Sequence, residues 1–140
     1  LSKLIRTART VNNSKPTWVL EKVKSAILEV LRLNPEKSIG DVTVACYGLT
    51  FKANIDDLRE SPALEITKNL INQAFGKVIA VEPNMDGKKF ENIEIVSFET
   101  ALLAADVHLI LVDHNEFKNK EFNHGVVIDT KGIISNVNLI

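Results

Sequence analysis

Residues 42–66 read VTVACYGLTFKANIDDLRESPALEI, and they spell one strand–loop–helix unit. Residues 42–47 form a short apolar run closed by Gly48, which predicts a strand buried on both faces. Ser61-Pro62 opens a helix. Ser suits the N-cap, Pro suits the first helical position, and Glu65 lies near the positive end of the helix dipole. Leu64, Ile66, Leu70, Ile71 and Ala74 recur as one apolar face, and Gly76 ends it.

The same alternation runs to the end of the chain. Residues 77–81 are a second strand, closed by Glu82-Pro83-Asn84, and residues 84–92 are a polar excursion. Ile93, Ile95 and Val96 make a short strand. Ser97 caps a helix through Ala104, residues 106–112 are another apolar strand, and residues 115–120 a short helical turn. Residues 126–128 are the last clear strand, ending at Asp129. Repeated β-α-β order with apolar strands predicts an α/β fold: a Rossmann-like parallel sheet with helices on both faces, over residues 41–140.

Residues 1–40 read differently. Leu4, Ile5, Ala8 and Val11 recur at helical spacing until Asn12-Asn13-Ser14-Lys15-Pro16 interrupts. From Trp18 a second helix carries Val19, Val23, Ala26, Ile27, Val30 and Leu31 on one stripe, ending near Leu33-Asn34-Pro35. This front segment is expected to be helical and separate from the sheet. The chain opens at Leu1 inside a helical pattern, so a longer parent protein is expected.

The 140 residues are 45% hydrophobic and 25% charged, with a formal net charge of −1, the balance of an ordinary globular domain. No global basic field is available for nucleic acid or an anionic membrane surface, so an anionic ligand must be held by local groups. The apolar runs are too short to span a bilayer. A single cysteine excludes an intrachain disulfide and makes a cytoplasmic compartment the default.

Ligands of open parallel sheets bind beyond the carboxyl ends of the strands. The loops there begin at Gly48, Glu82, Asp113 and Asp129. The first, residues 48–62, is long for a β-α connection and brings Phe51, Lys52 and Arg59 to a helix N-terminus. A ring and two cations beside a helix start suit a nucleotide or phosphate; the alternative is a solvated connector. Gly48-Leu49-Thr50 is neither a dinucleotide fingerprint nor a P-loop. Cys46 sits in an apolar strand with no nearby His, which marks a core residue and not a nucleophile. His108 falls in a buried strand, His114 at a strand end where it can shape the cleft, and His124 in a loop. The three lack metal-ligand spacing.

The run from Tyr47 to Ile66 resembles the signature of the C-terminal domain of the UDP-glucose/GDP-mannose dehydrogenase family, close to G-x-x-F-K-x-x-x-D-D-x-R-x-S-P-A. Gly48, Phe51, Lys52, Asp56, Asp57, Arg59, Ser61, Pro62 and Ala63 match it. VIAVEPN, ADVHLILVDHNEFK and VVIDTKG resemble later segments of that domain. LIRTARTVNNSKP resembles the end of the central helical region that supplies the family's dimer contact. Val112-Asp113-His114 and Asp129-Thr130-Lys131-Gly132 are nearer to the branch acting on UDP-N-acetylmannosamine than to the glucose branch.

The resemblance implies a parent enzyme that oxidises a sugar C6 alcohol to a carboxylate in two hydride transfers to NAD. It also implies a homodimer built through the helical region, and an N-terminal NAD-binding domain that supplies the G-x-G loop and the catalytic Cys, neither of which is in this sequence. By the same resemblance, Lys52 and Lys131 contact the UDP-sugar, Phe51 lines its site, and Arg59 belongs with NAD. The competing assignments are a solvated loop for Lys52, core packing for Phe51 and a surface ion pair for Arg59. As Lys and not Arg, residue 131 makes no bidentate contact. A non-catalytic dimerisation module, using the Val19–Val23–Ile27–Val30 stripe as its surface, is the alternative function.

Overall fold

The computed structural model describes residues 5–9, 16–49, 61–73, 76–83, 89–90, 92–118 and 120–133. Its strands are β1 (Ile5–Arg9), β2 (Thr43–Tyr47), β3 (Lys77–Val81), β4 (Lys89–Phe90), β5 (Ile93–Ile95), β6 (Val107–Ile110) and β7 (Val126–Asp129). Its helices are α1 (Pro16–Leu33), α2 (Pro62–Gln73) and α3 (Phe98–Ala104). The strands form one sheet in the order β1-β7-β6-β2-β3-β5-β4. All neighbours pair parallel except β4, which returns antiparallel along β5.

Alternation along each strand sends side chains to two cores. Val44, Cys46, Ala80, Val107, Leu109, Val126 and Ile128 face α1 and α2. Ala45, Tyr47, Ile79, Val81, Ile110 and Val127 face α3, Phe117 and Phe122. Strands buried on both faces carry no polar side, which is why they read as unbroken apolar runs. The expected helices on both faces are therefore present.

Two expectations for the front of the chain are corrected. Residues 5–9 are a strand and not a helix: β1 pairs parallel with β7, Ile5 opposite Val126 and Arg9 opposite Asp129. Four apolar positions are too few to sustain a helix without packing, and the outer edge of β7 supplies backbone partners instead. The α1 stripe is not a free surface either. Val19 and Val23 are fully buried, and Ala26, Ile27 and Val30 nearly so, in the same core as the sheet. The helix lies over β6 and β7 and against α2. Residues 16–40 and the sheet thus share one core, with no structural boundary at residue 40.

The amino ends of the strands are tied by Asp106. Its two carboxylate oxygens accept from Lys37 Nζ at 2.8 Å and from the Thr43 N–H at 3.0 Å. On the second face, Tyr47 is ringed edge-on by Phe98, Phe117 and Phe122 at centroid distances of 5.5–5.7 Å. Its hydroxyl donates to Nδ1 of His108 at 2.8 Å. The other ring nitrogen, Nε2, donates to the His124 carbonyl at 3.1 Å. A carbonyl can only accept, so His108 is the neutral Nε2–H tautomer, satisfied at both nitrogens. As expected, it is a core histidine.

Burial, aided by nearby His124, lowers the His108 pKa from 6.5 to about 4. Between those values the unfolded chain binds a proton that the folded chain does not. Stability should fall as pH drops through that window, by up to roughly 3 kcal/mol, and level off below it. Urea unfolding of wild type and His108→Gln at pH 7 and pH 4 checks this; the variant should lose less between the two. Gly48 has φ +106°, and an added Cβ would stand 2.5 Å from Val112 Cβ and 3.1 Å from its backbone nitrogen. Gly48→Ala should cost at least about 2 kcal/mol in denaturant unfolding, and Val112→Ala, which keeps the clashing Cβ and backbone nitrogen, should recover little of it.

Candidate functional site at the carboxyl ends of the strands

The chain leaves β2 toward α2 and β3 on one side, while β6 lies on its other side. A crevice at such a reversal of strand order is where open α/β sheets bind ligands. The turn there is tightly specified. The Gly48 N–H donates to the Val81 carbonyl at 2.8 Å, and the Leu111 and Val112 N–H groups both donate to the Tyr47 carbonyl. Val112 consequently lies against Gly48, and only glycine fits.

Leu49, fully buried, is held at both of its peptide groups. Its N–H donates to Oε1 of Glu82 at 2.8 Å. Its carbonyl accepts from the Ser61 hydroxyl at 2.6 Å. Ser61 in turn caps α2, accepting from the Leu64 N–H at 3.2 Å. The two residues that flank 50–60 therefore meet at one point.

Glu82 follows β3 and His114 lies just beyond β6. Both side chains have no solvent exposure, and His114 Nε2 donates to the same Glu82 Oε1 at 3.3 Å. The His114 ring also stands edge-on to Phe117, centroids 5.4 Å apart. At the end of β7, buried Asp129 accepts from the Lys131 and Gly132 N–H groups at 3.1 and 2.7 Å. Thr130 Oγ1 donates to the Ile110 carbonyl at 2.6 Å. Backbone and buried polar groups thus fix the exits of β2, β3, β6 and β7.

These bonds limit what the backbone offers an anion. Pro62 has no N–H, and Leu64 gives its own to Ser61, so two of the first three positions of α2 provide no donor. The Lys131 and Gly132 amides are already engaged by Asp129. The Leu49 amide goes to Glu82 and the Gly48 amide to Val81, so Gly48-Leu49 offers a dinucleotide pyrophosphate no free N–H. Among the described residues, the amides at this end thus offer a diphosphate few free donors.

Of the residues expected at the site, Lys131 is half-buried and lies within the Asp129 turn. Phe51, Lys52 and Arg59 lie outside the described residues. His114 is at the cleft, but as the buried partner of Glu82. Glu82 was legible only as the start of a loop; a carboxylate set against a buried strand end was its one signal. Cys46 is fully buried, and burial pushes its thiol up to about 12, opposed by a hydrogen bond with Thr67. That thiol stays protonated at neutral pH and is no nucleophile. Among the described residues no group of three or more His, Cys, Asp or Glu could hold a metal ion, and no helix is long and apolar enough to cross a membrane.

Comparison with known proteins agrees with this geometry. A UDP-N-acetyl-D-mannosamine dehydrogenase of Salmonella typhi is 44% identical over 138 residues, covering 94% of this chain and 33% of the relative. An NDP-N-acetyl-D-galactosaminuronic acid dehydrogenase of Ralstonia solanacearum is 42% identical, covering 96% and 31%. Among solved structures, the UDP-N-acetyl-mannosamine dehydrogenase of Staphylococcus aureus superposes with TM-score 0.66 at 32% identity, over 89% of this chain and 28% of that one. The chain spans about a third of the length of the curated relatives it matches. The family model for the UDP binding domain of the UDP-glucose/GDP-mannose dehydrogenases matches residues 45–136, from within β2 to beyond the Asp129 turn, and the chain belongs to that family.

Proposed function

We propose that this chain is the UDP-sugar-binding part of an NAD-dependent UDP-sugar 6-dehydrogenase. The substrate we propose is UDP-N-acetyl-D-mannosamine, oxidised at C6 to the uronate in two hydride transfers. The observation that carries the reading is the match of residues 45–136 to a UDP binding domain, with the crevice at its expected end of the sheet. The sugar is supported by the relatives at 44% and 32% identity, both UDP-N-acetylmannosamine dehydrogenases.

In this reading Lys52 sets its charge against the diphosphate, Phe51 lines the nucleotide site, and Lys131 adds a second cation from the end of β7. Engagement of the Asp129-turn amides leaves that work to the lysine side chains. NAD supplies the hydride acceptor. Gly48-Leu49 offers its pyrophosphate no free N–H, so this chain's share in NAD binding is Arg59, and the dinucleotide loop and nucleophilic Cys belong to the partner N-terminal domain. The family's homodimer contact is proposed for the front of the chain. It cannot run through the Val19–Val23–Ile27–Val30 stripe, which lies in the core. That burial also removes the observation on which a purely dimerising module would rest.

UDP at a hundred times its Kd should stabilise the folded chain by about 2.7 kcal/mol, read as a rise in melting temperature. Lys52→Ala should weaken UDP binding by about tenfold or more without changing the melting temperature of the free chain. No shift for wild type at millimolar UDP would count against the reading.

A further inference from the structure

Two donors at the centre of the crevice converge on one oxygen. Glu82 Oε1 accepts from Leu49 N–H at 2.8 Å and from His114 Nε2 at 3.3 Å. Leu49 is also bonded through its carbonyl to Ser61, and these two residues flank the segment 50–60. The base of that segment is therefore set against β3 through Glu82, and against the exit of β6 through His114. We infer that Glu82 and His114 are positioning residues for nucleotide binding: they act by holding the Leu49 peptide at the exit of β2, the point from which the sequence runs on to Phe51 and Lys52. The inference rests on the reading that residues 50–60 and Lys131 hold the UDP-sugar.

Neither side chain has solvent-exposed surface, so neither is assigned contact with the ligand. A carboxylate suits position 82 because it is acceptor-only and can take two donors on one oxygen. An apolar residue there would leave the Leu49 amide and the His114 imidazole buried without that acceptor. Their chemistry is thus to hold, not to react. Affinity follows because a bound anion is sensitive to small displacements of its cation.

The test uses UDP titration calorimetry on wild type, Glu82→Ala, Glu82→Gln, His114→Ala, His114→Gln and Asp106→Ala, with the melting temperature of each. Glu82→Ala and His114→Ala should weaken UDP by about tenfold to a hundredfold. The glutamine variants keep an acceptor at 82 or a donor at 114, and should return to within about threefold of wild type. Asp106→Ala breaks a two-donor carboxylate at the opposite end of the sheet. It should lower the melting temperature and leave Kd unchanged, which separates positioning from general destabilisation. A folded Glu82→Ala protein with wild-type Kd overturns the inference, as does an equal loss of affinity in Asp106→Ala. Should Glu82→Ala not fold, His114→Ala decides: wild-type affinity there overturns the inference, and weakened affinity restored by His114→Gln supports it. Wild type that fails to bind UDP removes the functional reading and this inference together. Wild type that binds, with all variants unchanged, removes this inference alone.

Discussion

A carboxylate with no access to water must find donors inside the protein, and Glu82 finds the Leu49 amide and the His114 imidazole. That requirement organises the carboxyl end of the sheet. It joins by side chains the exits of β2, β3 and β6, three neighbouring strands whose backbones are paired in their ladders and by the Gly48, Leu111 and Val112 amides. Gly48 adds the steric half of the constraint, because Val112 occupies the space a side chain would need. Between them, the direction in which the chain leaves β2 is determined before any ligand is considered.

The two ends of the sheet have different chemistry. At the amino end, Asp106 pairs with a half-buried Lys37 and one backbone amide, an arrangement that serves strand alignment. At the carboxyl end, buried polar side chains absorb backbone donors among the described residues. In a chain of net charge −1, the proposed diphosphate ligand would be attracted by a few placed charges and not by a global field.

The sheet and its helices were legible because each element carried a local signal. The runs at 77–81 and 126–128 are apolar on both faces, Ser61-Pro62 and Ser97 sit where caps belong, and His108 reads as core from its flanking residues. β1 was not legible. Ile5 and Ala8 suit a helical or an extended backbone equally well, and only the open edge of β7 decides between them, a tertiary fact. β4, two residues inside a polar stretch, had too little pattern to see.

The site was legible in a different way. The family signature pointed to Phe51, Lys52, Arg59 and Lys131, while the buried pair at the strand exits, Glu82 and His114, did not show. Glu82 and His114 stand 32 residues apart in sequence, and nothing local ties a strand-end acid to a histidine beyond the next strand but one. Likewise, the α2 N-terminus looked like an anion site until Pro62 and the Ser61 cap were seen to remove two of its donors.

That the carboxyl ends of β2, β3, β6 and β7 form a UDP site is tested most directly by an amide nitrogen–proton correlation spectrum recorded during UDP titration. Saturable shifts should concentrate at residues 48–49, 61–65, 112–114 and 130–132, with residues near Lys37, Thr43 and Asp106 unmoved. Shifts at the amino end of the sheet or along α1, with none at the first set, would contradict it.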